Sequence, residues 1–106
     1  MTASPSENDT LPRGRTGIWF IGARGSVATT ATLGALAVSA GLADRTGFVC
    51  ELEQVAAARP VPVENLVTGG HDVSELPLQD RAQALAESGV FPVALVAALR
   101  DQLAEA

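Results

Sequence analysis

The stretch Ile21-Gly22-Ala23-Arg24-Gly25-Ser26-Val27-Ala28 has the residue types and spacing to hold an anion. Gly22 lets the chain reverse sharply, and Gly25 leaves room for a pyrophosphate to reach bare backbone. Ala28 is small enough for a following helix to pack close on the preceding strand. The free N–H groups of that helix's first turn, at its positive dipole end, then point at the phosphate. An apolar strand, a Gly-x-x-Gly-x-x-Ala turn and a helix are the parts of a dinucleotide-binding βα unit. Arg24 replaces the middle glycine of the usual pattern, and its place in the turn suits the pyrophosphate. A tight βα turn that binds nothing could use the same residues. A P-loop is a poor fit, because no Gly-Lys-Ser/Thr follows.

Two further positions carry chemistry. Glu51 closes a second apolar run, near where such folds place the carboxylate that accepts from the adenosine ribose hydroxyls. It would repel a 2′-phosphate, so this reading predicts NAD over NADP. An exposed acid at a strand end is the plain alternative. Gly69-Gly70-His71-Asp72 follows a third apolar run, where open α/β sheets bind ligands. There Asp72 either meets the cofactor or caps the segment leading to the next helix. Cys50 is the only cysteine, so no internal disulfide is possible, and it reads as a small buried residue.

These positions need a scaffold. Residues 1–16 are rich in Ser, Thr, Pro, Glu, Asn and Asp without a period and read as a disordered tail. Residues 17–21 form the first strand, apolar enough for a central parallel position. A helix over 26–41 follows, with Val27, Ala31, Gly34, Ala35 and Val38 on one face, Leu33, Leu36 and Ala40 on another, and Gly41 as its stop. Gly34 predicts close contact with a neighbouring strand. Residues 47–52 read as the second strand, 55–64 as an extended loop around Pro60 and Pro62, and 65–68 as a short third strand. A helix then starts near Pro77, lined inside by Leu78, Ala82, Leu85 and Ala86 and stopped by Gly89. Another runs from Pro92 to the end, with Leu95, Leu99 and Leu103 as its stripe. The fold class is therefore α/β: the first half of a Rossmann-type parallel sheet, with three strands and about three flanking helices over residues 17–106.

Composition narrows the partners. The net charge is −5 and there is no basic run, which argues against nucleic acid. The uncharged stretch over 25–43 approaches spanning length, but its Thr, Ser and Gly residues suit a buried helix better than a membrane span. No secretory leader pattern is present, so a reducing cytoplasm is the simplest location. All seven cationic side chains are Arg, so the chain holds no Lys.

The glycine turn and Gly70-His71-Asp72-Val73, in this order and at this distance, resemble the N-terminal part of the NAD-binding domain of myo-inositol-phosphate synthase, the glucose-6-phosphate cyclase, in its divergent bacterial form. That family carries Gly-x-Gly-Gly-Asn-Asn-Gly after its first strand, which places Arg24 on the middle Gly, Ser26 and Val27 on the Asn pair and Ala28 on the last Gly. Its Gly-Trp-Asp-Ile aligns with Gly70 to Val73, so His71 stands on the Trp and reads as pocket wall. The similarity continues through Leu78, Ala82 and the Val90-Phe91 turn. The resemblance implies tightly held NAD, oxidised and re-reduced within one turnover that converts glucose 6-phosphate to myo-inositol 3-phosphate. It implies cofactor contacts from Gly22, Arg24, Gly25, Ser26, Val27 and Asp72, with Glu51 on the ribose. It also implies a homo-tetramer for the full-length enzyme. Family chains are several times longer, and their catalytic lysines lie beyond the equivalent of Ala106. The chain therefore reads as the first part of such an enzyme, inactive alone. A generic NAD(P)-dependent dehydrogenase fragment and a free-standing nucleotide-binding module remain as alternatives. The coding sequence just after Ala106 discriminates the first, and dinucleotide binding by the isolated, monomeric chain favours the second.

Overall fold

The computed structural model describes residues 14–46, 48 and 52–106. Strand β1 (Thr16–Ile21) leads through the glycine turn into helix α1 (Ser26–Ser39). A one-turn helix α2 (Glu53–Ala56) and a 3-10 turn (Val63–Asn65) precede strand β2 (Leu66–His71). Helices α3 (Leu78–Glu87), α4 (Val93–Ala98) and α5 (Arg100–Glu105) complete the order.

Strands β1 and β2 pair in parallel, with Thr16 opposite Leu66 and Ile21 opposite His71. The run expected first therefore lies directly beside the run expected third. The described residues hold two strands, not three. Most of the expected second strand, Glu51 and Cys50 included, lies outside the described residues. β1 starts at Thr16, one residue into the stretch read as tail. β2 runs on through Gly69 and Gly70 to His71, where the sequence suggested a turn. Close approach explains the extension. A Cβ on Gly70 would sit 2.3 Å from the Phe20 carbonyl oxygen and 2.7 Å from Ala23 Cβ, so only glycine lets the strands meet there.

The core lies on one face of the sheet. Leu33 and Ala37 of α1, Leu78, Ala82 and Ala86 of α3, Val96 of α4, Leu99, and Leu103 of α5 form one buried cluster. All four positions expected on the inner face of α3 are buried. The Leu95, Leu99 and Leu103 stripe is core, although the expected single helix is interrupted at Leu99. The inner side of helix α1 takes Val38 from one expected face and Leu33 from the other. Its buried residues are Ala28, Thr29, Thr32, Leu33, Ala37 and Val38, while Val27 and Ala31 face out. Nothing described lies within 4 Å of a Cβ on Gly34, so the close contact expected there is absent among the described residues. The loop expected over 55–64 includes the end of α2 and the start of the 3-10 turn.

Two helices end in the same motif. Gly41 has φ +75°, its N–H donates to the Val38 carbonyl at 3.1 Å, and the Leu42 N–H donates to the Ala37 carbonyl at 2.8 Å. Gly89 repeats this, with φ +87° and bonds to the Ala86 and Leu85 carbonyls from Gly89 and Val90. The left-handed glycine satisfies carbonyls that the helix leaves over.

Candidate functional site

The glycine turn is built from the ends of both strands. The His71 carbonyl accepts from the Gly22 N–H at 2.9 Å and from the Ala23 N–H at 3.0 Å, which ties the end of β2 to the turn. Gly22 has φ +89°, a left-handed backbone that other residues rarely adopt. The Gly25 N–H closes the turn onto the Gly22 carbonyl at 2.9 Å. A Cβ on Gly25 would meet that carbonyl oxygen at 3.2 Å, so bare backbone is needed at the helix start.

Gly25 is the N-cap of α1, and no side chain caps the helix. Gly25, Ser26 and Val27 are all exposed. This arrangement fits an anionic pyrophosphate. Its oxygens can approach the first-turn N–H groups without meeting a side chain at the cap. A cavity of about 50 Å³ between the sheet, α1 and α3 is lined by Phe20, Ala23, Thr32, Thr68, Gly70 and Leu78, among others. It is far too small for a dinucleotide.

Asp72 sits just past β2 and joins the two glycine-marked stretches. Its Oδ2 accepts from the Arg24 N–H at 2.9 Å, and its Oδ1 accepts from the Ser74 N–H at 3.2 Å. These bonds, that from Arg24 first, hold its carboxyl below the ordinary value of 3.8. Asp72 is thus both a local cap, as the plain alternative held, and a brace for the turn across the sheet. The Arg24 side chain donates through Nε to the Leu76 carbonyl at 2.8 Å, so it lies along the loop after Asp72. His71 lies against Trp19, whose Nε1–H donates to His71 Nδ1 at 2.9 Å. Its carbonyl, not its side chain, reaches the turn.

One residue at the site escaped the sequence reading. Arg81 on α3 donates through Nε to the Arg24 carbonyl at 2.9 Å and through Nη2 to Ser26 Oγ at 3.1 Å. Only the packing of α3 beside the turn brings it there, and nothing in local spacing signals that. Gly22, Arg24, Gly25, Ser26, Val27 and Asp72 thus gather around one turn, while Glu51 lies outside the described residues. No group of His, Cys, Asp and Glu suited to a metal ion occurs among the described residues. No helix among them is long and apolar enough to cross a membrane.

The family model described as myo-inositol-1-phosphate synthase, NAD-binding domain, matches residues 16–106. The chain belongs to the myo-inositol-1-phosphate synthase family. Comparison with curated proteins gave no match. The cofactor of this family's domain is NAD, and the match covers β1, the glycine turn, α1, β2 and everything after it. It sets aside the generic dehydrogenase fragment.

Proposed function

We propose that this chain forms the NAD-binding part of an enzyme that cyclises glucose 6-phosphate to a myo-inositol phosphate. The observation that carries the reading is the uncapped start of α1 behind a glycine turn that Asp72 braces, within a chain of this family. Bound there, NAD would supply reversible hydride transfer with the sugar within one turnover.

The residues would divide the work as follows. Gly22 and Gly25 shape the turn and keep side chains off the phosphates. Ser26 and Val27 offer first-turn N–H groups to the pyrophosphate. Asp72 acts by holding the Ala23–Arg24 peptide, and a cofactor hydroxyl is the further contact proposed for it. Arg24 adds positive charge beside the phosphates. Glu51 takes the ribose hydroxyls and favours NAD over NADP.

The chemistry on the sugar falls to groups that these residues do not include. The chain has no Lys to polarise a sugar carbonyl or stabilise an enolate. The purified chain should therefore bind NAD, more tightly than NADP, a property it would share with a free-standing module, and give no inositol phosphate from glucose 6-phosphate. Calorimetric titration of both cofactors and a product assay test this. No NAD binding, or turnover above a protein-free control, would overturn the corresponding half of the reading. Assembly of the complete enzyme into a homo-oligomer belongs to the same proposal.

A further inference from the structure

The main chain of Arg24 is held from two sides. Its N–H donates to Asp72 Oδ2 and its carbonyl accepts from Arg81 Nε, both at 2.9 Å. We propose that Arg81 is a positioning residue for the cofactor pyrophosphate, acting through the Arg24–Gly25 peptide and the Ser26 hydroxyl. The inference rests on the NAD reading and adds to it a residue from a distant helix.

The physics is a matter of which groups face the anion. A peptide at the lip of a phosphate site can present its N–H or its carbonyl, and the carbonyl repels. With its carbonyl held by the Arg81 guanidinium and its N–H, that of Gly25, held by the Gly22 carbonyl, the Arg24–Gly25 peptide cannot turn over, and Asp72 fixes the Ala23–Arg24 peptide just before it. The N–H groups of Ser26 and Val27 then keep one orientation before any ligand arrives, which lowers the ordering cost of binding. Arg81 is well placed to be rigid. It is half-buried, and its neighbour Ala82 and nearby Leu78 and Leu85 are buried under α3. Its planar fork reaches two acceptors at once, the Arg24 carbonyl at 2.9 Å and Ser26 Oγ at 3.1 Å. A lysine ammonium carries the same charge without that geometry.

The test compares NAD dissociation constants for the unaltered chain, Arg81→Met, Arg81→Lys and Ser26→Ala. The Arg24 and Gly25 amide resonances are recorded without NAD as a second readout. Arg81→Met should weaken NAD at least about tenfold, the loss typical of a charge-assisted hydrogen bond. It should also move the Arg24 and Gly25 amide signals in the free protein. Arg81→Lys should restore little of the affinity, and Ser26→Ala should show a smaller loss than Arg81→Met. Should Arg81→Met fail to fold, the lysine variant carries the comparison. Full affinity in Arg81→Lys would mean that charge alone matters and would overturn the proposal. Unchanged affinity and amide shifts in Arg81→Met would overturn it as well. Those outcomes leave the cofactor reading standing. Absence of NAD binding by the unaltered chain would remove the cofactor reading, and this inference with it.

Discussion

Asp72 shows how one carboxylate can serve two readings. It accepts from Ser74 two residues on, as a local cap does, and from Arg24 across the sheet. The sequence offered either a cap or a cofactor contact. The cross-sheet bond was not legible, because it depends on β2 continuing to His71 and delivering Asp72 beside the turn. The sign of its pH effect follows from the lowered pKa. A carboxyl whose folded value lies below 3.8 contributes stability that is complete above that value. The contribution is lost as pH falls through the lowered value. Asp72→Asn should therefore lower the melting midpoint at neutral pH, and the gap to the parent should close in acid, below about pH 4. NAD affinity should fall about tenfold with it, since the turn loses its brace. Circular dichroism melts from pH 7 down to pH 3 and a calorimetric titration check both. A gap that stays constant into acid would separate the effect from the carboxylate charge.

At the scale of elements, what could be read followed from side-chain contrast. Helix α3 alternates polar and apolar residues with a helical period, so its buried Leu78, Ala82, Leu85 and Ala86 could be read directly. Gly41 and Gly89 announced their helix ends for the same local reason. Helix α1 is built almost wholly of Ala, Thr, Gly, Val, Leu and Ser, so no face stands out, and its inner side includes Thr29 and Thr32. Thr29 is fully buried, and its hydroxyl has no hydrogen-bond partner in the described structure. Burying such a group costs about 1–3 kcal/mol. Thr29→Val keeps the shape and removes the cost, so it should raise stability by about 1 kcal/mol in a denaturant titration. A clear loss of stability would mean that the hydroxyl has a partner. The double glycine was read as a turn, because glycine in a strand interior gives no pattern to read. Gly70→Ala tests why it is there. Its new Cβ would stand 2.3 Å from backbone at Phe20, so the strands must part. The expected loss is at least the 1–3 kcal/mol or so of ordinary overpacking, with NAD binding lost as the turn comes away from His71. Near-parental stability and affinity would show that β2 need not approach β1 so closely.

At the scale of the whole molecule, the two faces of the sheet differ sharply among the described residues. Helices α1 and α3 cover one. On the other, Trp19 is 65%, Ile21 83% and Val67 44% exposed. The Trp19 ring lies over Gly69, where a Cβ would come within 3.4 Å of it, and its hydrogen bond ends on His71. Parallel sheets are ordinarily covered on both faces, and an isolated pair of strands is marginal in water. Whole domains keep a net stability of only about 5–15 kcal/mol, so a core on one face leaves a thin margin. The chain on its own should therefore unfold over a broad temperature range while retaining helical circular dichroism before the transition. Trp19 is the only tryptophan, so fluorescence reports this face alone. Its emission should be that of a largely water-exposed indole. Saturating NAD binds only the folded form and should raise and sharpen the transition by mass action. It should leave the Trp19 emission almost unchanged, since the helix start and the open sheet face are different surfaces. A sharp melt independent of protein concentration, with blue-shifted Trp19 emission in the absence of NAD, would show that this face is covered and the chain stable by itself.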